Sequence, residues 1–371
     1  MAFLESVLIS GSFATKKDSH FADNLLSLRI LFQEAQYIST EIMDIVLSGI
    51  RSTGKLHLGN YYGALRNFIR MQEENRCFFF IADIHSLTTH PDPKHLHENV
   101  KNVLVDYLAA GIDPEKSVIY VQSDLHETAE LYLYLNMHAY MGELAKTTSF
   151  KEKARKQPEN VNAGLLTYPT LMAADILIHN ADKVPVGKDQ EQHLEMTRKF
   201  ARRFNNFYGV EYFKEPVAYN FGEELVKIPG LDGSGKMGKS EGNAIYLSDS
   251  PKEIEKKVKK ALTDSGPSSP NSAKPDYIEN LFTILKVVST PEVVNHYEEQ
   301  WNKCEIRYGD LKKQLAEDII KVTTPIRERI LEIYNNDDYL RKVTSEGVEK
   351  ARESASKTIA DVREIVGFKK F

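Results

Sequence analysis

Two short stretches of this sequence combine residue types that bind phosphate groups. The first runs from Gly49 to Asn60 and reads Gly-Ile-Arg-Ser-Thr-Gly-Lys-Leu-His-Leu-Gly-Asn. It follows the apolar run 45–47, which is typical of a buried strand, and precedes a helical pattern over 61–72. A strand, a glycine-rich loop and a helix amino terminus favour an anion site, because the first helical N–H groups have no intrahelical partner. The spacing matches neither the Walker motif nor the dinucleotide-binding motif.

The second stretch is Lys236-Met237-Gly238-Lys239-Ser240, which lies between glycines at 233, 235 and 242. Two lysines three positions apart in such a loop make a mobile cationic segment whose backbone a ligand can approach. A solvated turn explains the same pattern when this stretch is considered alone. Only its combination with the first stretch indicates a nucleotide site.

Composition sets limits on the class of protein. The chain has 371 residues, of which 42% are hydrophobic and 27% charged, with a net charge of −5. These values predict two or three globular domains and argue against a generally basic nucleic-acid-binding surface. No run of 18 apolar residues occurs, so no membrane association is expected. Cys77 and Cys304 lie far apart and outside any C-x-x-C, which predicts a reducing, cytoplasmic location without a structural metal site.

Strand and helix patterns alternate up to about residue 230. Cys77–Ala82 and Ser117–Val121 are predicted strands, Asp83–Leu87 a loop and Asn99–Ala110 a helix. This alternation predicts an α/β fold with a parallel sheet, helices on both faces and a ligand at the carboxyl ends of the strands. Beyond residue 240 only helical periodicity remains, and Ser250 is a predicted helix N-cap.

One acidic residue lies among apolar helix positions. The segment 165–179 is a predicted helix with Pro169 in its first turn and Asp175 between apolar residues. The Asp175 carboxylate either faces solvent or turns inward to a polar partner, because an unpaired buried charge is costly. The segment 184–193 then predicts a strand, a glycine turn and a helix opened by Asp189.

Six motifs in a fixed order resemble the class I aminoacyl-tRNA synthetases, and in particular their bacterial-type tryptophan branch. They are Ser48–Gly54 with His57–Tyr61, Phe150–Lys153, Gly164–Pro169, Met172–Leu177, Val184–Gln190 and Lys236–Ser240. The chain departs from the family signatures at three places. Asn60 and Gly238 replace a histidine and a serine of the two ATP-binding signatures, and Arg51 stands where many members carry glutamine.

The resemblance implies a domain organisation and a reaction. Residues 43–230 would form a Rossmann-type catalytic domain, 231–340 a helical anticodon-binding domain, and 341–371 a helix that packs back on the catalytic domain. The implied assembly is a homodimer. The implied reaction uses ATP to attach L-tryptophan to tRNA(Trp), with Mg²⁺ held mainly by the ATP phosphates. Residues 1–42 are expected to be an N-terminal extension of unknown role, with Met43 a candidate natural start.

Roles carry over to matching residues. Those implied to bind ATP are Arg51, Ser52, Thr53, His57, Gly59, Asn60, Gly187, Lys188, Asp189, Lys236, Met237, Gly238, Lys239 and Ser240. The implied catalytic set is His57, Lys153, Lys236 and Lys239. Those implied to bind tryptophan are Gly49, His85, Tyr168, Met172, Asp175, Val184, Val186 and Gln190. The contact of Arg51, to tryptophan carboxylate or to ATP, stays open.

Three alternatives are compatible with parts of this pattern. A tyrosyl-tRNA synthetase shares the fold and the ATP motifs, although its phenol pocket needs polar partners at other positions. A small nucleotidylyltransferase shares the loop around His57 but needs neither the helical part nor the lysine loop. The third alternative is a paralogue that binds its ligands without catalysis. The presence of the expected residue at every catalytic position argues against it.

Overall fold

The computed structural model describes residues 43–187, 191–219, 227–239 and 241–368. Residues 1–42, in which the apolar positions between Phe21 and Tyr37 predict one short helix, lie outside the described residues. So do Lys188, Asp189, Gln190 and Ser240.

A five-stranded parallel sheet forms the centre of the catalytic part. Its strands are β1 (Ile45–Arg51), β2 (Arg76–Ala82), β3 (Ser117–Val121), β4 (Lys183–Val184) and β5 (Val217–Ala218). They lie in the order β3-β2-β1-β4-β5, and every pairing is parallel. The chain moves outward from β1 to β3 and then returns beside β1. Ligands of such sheets bind at this reversal, outside the carboxyl ends of the strands. The predicted α/β fold of Rossmann type is confirmed.

Helices cover both faces of the sheet. α1 consists of three consecutive segments, Leu58–Asn60, the π-helical Tyr61–Leu65 and Arg66–Met71. The others are α2 (Asp83–Ser86), α3 (Pro93–Ala110), α4 (His126–Met137), α5 (Met141–Leu144), α6 (Thr148–Lys156), α7 (Ala163–Leu177) and α8 (Glu191–Tyr208). Single 3₁₀ turns occupy Leu87–Thr89, Gln122–Asp124 and Pro158–Asn160.

Alternate strand residues point to two separate cores. Leu47, Phe78 and Phe80 belong to the core that contains α7 and α8, whereas Val46 and Phe79 belong to the one that contains α3. This alternation follows from the two-residue period of a strand, and both faces are apolar because helices cover both.

The remaining helices form the carboxyl-terminal helical part, which confirms the helical periodicity read there. They are α9 (Pro251–Lys259), α10 (Asp276–Val288), α11 (Pro291–Asn302), α12 (Tyr308–Ile333) and α13 (Asp337–Ile365). α9 begins with the predicted cap, since the Ser250 hydroxyl accepts the Glu253 N–H while the Glu253 carboxylate accepts the Ser250 N–H. These helices enclose a third core, which contains residues of α9 to α12, and Trp301 is fully buried in it.

The last helix lies directly on the sheet. A Cβ atom at Gly347 would come within 1.7 Å of the Ile119 carbonyl oxygen, so only glycine permits this approach of α13 to β3. Beyond that point Ala351, Ala355 and Ile359 enter the same core as β2. Small residues on this face therefore let the helix backbone come close to the strand.

Three local predictions were wrong. Residues 83–86, expected in a loop, form helix α2. Pro169 lies inside α7 rather than in its first turn, because α7 starts at Ala163, where the Asn162 side chain caps it. The helix expected from Asn99 begins earlier, at Pro93, after an Asp92 cap. Among the helices of the described residues, none is both long and apolar enough to cross a bilayer.

Candidate functional site

Helix α3 contacts the glycine-rich loop that follows β1 and holds it in place. The Leu56 N–H donates a 2.7 Å hydrogen bond to Asp106 Oδ2. Gly54 has a φ of +94°, and a Cβ there would lie 3.0 Å from Asn99 Oδ1. Ser52 is buried with its hydroxyl 3.0 Å from that of Ser86. Burial raises the pKa of Asp106 to about 7, opposed by the Leu56 hydrogen bond. These contacts therefore define the shape of the loop.

The turn that opens α1 brings an imidazole to the loop. The Asn60 side-chain oxygen accepts the His57 N–H at 3.0 Å. The His57 ring lies over Gly59, since a Cβ at Gly59 would be 3.0 Å from ring atoms Cε1 and Nδ1. Burial, with Lys239 and Lys236 nearby, lowers the pKa of His57 to about 4. The imidazole is thus neutral near pH 7, and its buried Nδ1 has no hydrogen-bond partner within the described residues.

The lysine loop contacts the glycine-rich loop. Lys239 Nζ donates to the Gly54 carbonyl at 2.6 Å and to the Thr53 hydroxyl at 3.1 Å. Burial lowers the pKa of Lys239 to about 8, while Asp106 acts in the opposite direction. Behind the two loops, the Leu58 N–H bonds Ile245 O and the Leu247 N–H bonds Leu56 O. These backbone hydrogen bonds align the two motifs that the sequence separates.

Met237, expected among the ATP-binding residues, has a side chain that is only 1% exposed. It packs in the core of the helical part, and its N–H donates to the Ile228 carbonyl at 2.9 Å. The Met237 side chain therefore attaches the lysine loop to the core beneath it.

An apolar cavity of about 280 Å³ opens at the carboxyl ends of β1 and β4. Gly49 pairs with Phe80 in the sheet, and a Cβ at Gly49 would meet the Phe80 ring at 2.7 Å. Seven of the expected tryptophan-binding residues line this cavity: Gly49, His85, Tyr168, Met172, Asp175, Val184 and Val186. Gly187 follows β4, directly before residues that the structure does not describe, and is not among the residues that line this cavity.

Asp175 is the acidic residue of this cavity and is 2% exposed, so the solvent-facing alternative is wrong. Its Oδ2 is 2.9 Å from His85 Nε2, and Gln122 Nε2 donates to both oxygens at 2.8 and 3.0 Å. Burial raises the pKa of Asp175, opposed mainly by the His85 hydrogen bond. His85, expected at the amino-acid backbone of the substrate, thus orients the carboxylate here.

Two cations stand at the same cavity. Arg51 and Lys153 both line it, and Lys153 Nζ lies 3.6 Å from the centroid of the Tyr168 ring. Burial, followed by repulsion from Arg51, lowers the pKa of Lys153 to about 8. Burial also lowers the pKa of Arg51, whose Nε is buried without a hydrogen-bond partner in the described part of the chain. Neither cation forms an ion pair with a carboxylate among the described residues, and unpaired cations favour an anionic ligand.

The Tyr168 hydroxyl belongs to a polar group behind the ring. It donates to the Ser149 hydroxyl of α6 and contacts His193 Nε2 of α8. His193 Nε2 is also 2.8 Å from Ser149 Oγ. The helix that carries Lys153 is thereby joined to the cavity wall.

Sequence reasoning missed Gln122, Phe80 and Asp106. Gln122 directly follows strand β3, at the edge where ligands of parallel sheets bind, and that position was the available signal. Phe80 lay within a strand whose apolar run indicated only core. Asp106 had no local signal, because it is one polar residue in an otherwise apolar helix segment.

Comparison with known proteins agrees with this geometry. The family model of class I tRNA synthetases (W and Y) matches residues 43–324. A tryptophan–tRNA ligase of Porphyromonas gingivalis is 66% identical over 327 residues, which cover 88% of this chain and all of that protein. One from Rickettsia bellii is 43% identical, over 87% of this chain and 98% of its own length.

A solved structure supports the same assignment. The tryptophanyl-tRNA synthetase of Campylobacter jejuni, crystallised with ADP and tryptophan, superimposes with a TM-score of 0.77 at 35% identity. The match covers 87% of this chain and all of that one. The chain therefore belongs to the class I tRNA synthetases of the tryptophan and tyrosine group, in the bacterial-type tryptophan branch.

Proposed function

We propose that this chain activates L-tryptophan with ATP and then transfers it to tRNA(Trp). One observation carries the proposal: a cavity with a single buried acidic acceptor, Asp175, lies next to the cationic loops. Arg51 lines that cavity. Two residues further on, the Thr53 hydroxyl accepts a hydrogen bond from the Lys239 ammonium group. An amino acid in the cavity and a triphosphate on the loops would be adjacent.

The cavity suits an indole ring. Indole has one polar ring atom, an N–H that only donates, so selective binding needs one acceptor within an apolar wall. Asp175 is that acceptor, held by His85 and Gln122, with Met172 and Val184 among the apolar lining. The amino and carboxylate groups of the substrate are assigned to Gln190 and to the open end near Arg51.

ATP is assigned to the loops. His57, Gly59 and Asn60 would pack against the nucleotide, while Ser52, Thr53, Lys236 and Lys239 would contact the phosphates. Gly238 and Ser240 complete that loop. Gly187 and Asp189 are assigned to the ribose, and Lys188 to ATP binding. The neutral His57 imidazole donates one hydrogen bond to phosphate or ribose without adding charge.

The first step needs no protein nucleophile. A carboxylate oxygen of tryptophan attacks the α-phosphorus of ATP, the bond from that phosphorus to the bridging oxygen breaks, and pyrophosphate leaves. The protein must hold two anions in line and stabilise the charge that develops on the leaving group. Lys153, Lys236 and Lys239 supply positive charge there. Partial burial of Lys153 and Lys239 strengthens this interaction, because charges attract more strongly in a less polar medium.

Mg²⁺ is assigned to the phosphates rather than to a protein site. In the part of the chain that the structure describes, no three His, Cys, Asp or Glu side chains group as metal ligands. A magnesium ion bound mainly by phosphate oxygens and water needs no such group of protein ligands, and it would neutralise phosphate charge.

In the second step a hydroxyl group of the terminal adenosine of tRNA attacks the carbonyl of the adenylate, and AMP leaves. The family resemblance implies that this group is the 2′-hydroxyl. The helical part, residues 231–340, is assigned to the anticodon, and 341–371 to packing on the catalytic domain 43–230. The lysine-rich side of α9, with Lys252, Lys256 and Lys259 exposed, supports contact with a polyanion.

Tryptophan-dependent exchange of pyrophosphate into ATP tests this function, with tyrosine as the control substrate. We expect exchange with tryptophan and at least 100-fold lower kcat/KM with tyrosine, because a phenol would not pair with Asp175 in the same place. Exchange with tyrosine alone would assign the chain to the tyrosine side of the family. No exchange with either would contradict the proposal.

The proposed assembly is a homodimer. Large apolar side chains are exposed at Leu133 and Met137 of α4, at Tyr140 and Met141, and at Phe207 of α8. The His138 ring lies 5.0 Å from that of Phe207, which brings the end of α4 next to α8. Such an exposed apolar patch is typical of a subunit interface.

Sedimentation of the wild type should give a dimer, and Met137→Asp should give monomers. Leu331→Asp is the matched control, because Leu331 is similarly exposed but lies on α12. A monomeric wild type would contradict the assembly. The proposed location is the cytoplasm, which the two free thiols support: Cys77 is buried and Cys304 exposed.

A further inference from the structure

Asn243 contacts the lysine loop on both sides of Met237. The amide is 5% exposed, and its oxygen accepts the Gly238 N–H at 2.9 Å. Its nitrogen donates to Asp232 Oδ1 at 2.9 Å and to Ser234 Oγ at 2.8 Å, and lies 3.3 Å from the Lys236 carbonyl oxygen. One side chain therefore bonds the backbone before and after Met237, within the segment that carries both lysines.

The surroundings leave little freedom to this amide. A Cβ at Gly230 would lie 2.2 Å from Asn243 Nδ2 and 2.4 Å from Asp232 Oδ1, so the Gly230 backbone closes over the group. The Met237 N–H is bonded to Ile228 O, and its side chain is buried. The segment 236–238 is consequently held at one carbonyl, two N–H groups and one side chain.

We propose that Asn243 is a positioning residue for adenylate formation: it holds the lysine loop so that Lys239 reaches the phosphate site. Toward the ligand site, Lys239 bonds Thr53 and Gly54 through its own ammonium group, so these bonds do not fix the backbone of the loop. Asn243 does not touch ATP in this proposal. It acts through the backbone of 236–238, and it extends the function proposed above, on which it rests.

Only an amide meets all the requirements at this position. The group must donate toward Asp232 and Ser234 while accepting from Gly238, and asparagine has both capacities on one short side chain. Aspartate has the same shape but no donors, and would place a second carboxylate beside Asp232. Alanine removes all of the hydrogen bonds and leaves the Gly238 N–H without its acceptor.

The first experiment measures kcat and KM in tryptophan-dependent exchange of pyrophosphate into ATP. For Asn243→Ala and Asn243→Asp we expect kcat to fall about 10- to 100-fold, because a displacement of about 1 Å in a positioning group costs up to that much. The KM for tryptophan should stay within about twofold. The matched control is Asn280→Ala, since Asn280 donates to the Ser234 carbonyl at 3.1 Å but to nothing in 236–239. It should keep wild-type kcat.

The second experiment separates positioning from a general structural role. In the double variant Asn243→Ala with Lys239→Ala, kcat should equal that of Lys239→Ala within about threefold, because both changes remove the same interaction. For Asn243→Ala, the rate of tryptophan transfer from preformed enzyme-bound adenylate to tRNA should also stay within about threefold of the wild-type rate. If that variant unfolds, Asn243→Ser retains a donor and should show a smaller loss of kcat.

The outcomes are distinguishable. A wild type without exchange contradicts the proposed function. With an active wild type, unchanged kcat in Asn243→Ala, multiplicative losses in the double variant or an equal loss in the transfer step would each overturn the role of Asn243.

Discussion

Lys239 Nζ donates a 2.6 Å hydrogen bond to the backbone carbonyl of Gly54, 185 positions earlier in the chain. The contact joins the lysine loop to the glycine-rich loop. The Gly54 carbonyl oxygen and the Thr53 hydroxyl oxygen both accept hydrogen bonds from this ammonium group. A phosphate can replace these neutral acceptors with a charged one, which makes a stronger hydrogen bond.

Lys239→Ala should lower kcat of pyrophosphate exchange about 100- to 1000-fold and leave the Kd for tryptophan within about twofold. The ammonium interacts most strongly with the charge that develops on the leaving pyrophosphate, and losses of this size follow removal of one such contact. Lys116→Ala is the matched control, because Lys116 is an exposed lysine that pairs with Glu73 and has no assigned role in binding. An equal loss in tryptophan binding and in rate would contradict this role.

Exchange should decline at alkaline pH. The pKa values of Lys153 and Lys239 are each lowered to about 8, chiefly by burial. Both ammonium groups are charged below that pH and lose their proton above it. The profile of kcat/KM for ATP, which reports the free enzyme, should therefore fall above about pH 8. In Lys239→Arg the guanidinium stays charged, so the decline should become less steep. A flat profile up to pH 10 would contradict the assigned charges.

Arg51→Gln should cost more than tenfold in kcat/KM, which is about 1.4 kcal/mol. The residue that many relatives carry would be tolerated if Arg51 merely replaced it. Arg51, however, lines the cavity, and its guanidinium donates a long hydrogen bond of 3.3 Å to the Thr89 hydroxyl. Separate KM values for tryptophan and ATP identify the ligand that it contacts. Activity within threefold of the wild type would show that the charge is dispensable.

Asp175→Ala should reduce kcat/KM for tryptophan about 10- to 150-fold, because a hydrogen bond to a charged group is worth roughly 1.5–3 kcal/mol. The KM for ATP should hardly change. The substitution also leaves His85 Nε2 and Gln122 Nε2 without this acceptor, so a thermal melt must accompany the kinetics. Asp175→Asn is the matched variant, since it keeps the shape and one acceptor oxygen. Normal activation of tryptophan, or a loss of ATP affinity instead, would move the indole site elsewhere.

The sequence alone determined the elements whose causes are local. The strands β2 and β3 follow from their apolar runs, and the Ser250 cap follows from the spacing of Ser, Pro and Glu. The glycine-rich loop and the lysine loop were recognisable for the same reason, because backbone sterics and charge spacing are properties of neighbouring residues. Their order, with four further motifs, also identified the family.

Only the tertiary structure decided the environment of Asp175. Its partners His85 and Gln122 lie 90 and 53 positions away, so no local pattern distinguishes a buried, hydrogen-bonded carboxylate from a solvated one. Asp106 beneath the glycine-rich loop and the contact of Lys239 with Gly54 depend on distant pairings in the same way. The physical reason is that burial and hydrogen-bond satisfaction belong to the packed chain, whereas propensity and spacing belong to the segment.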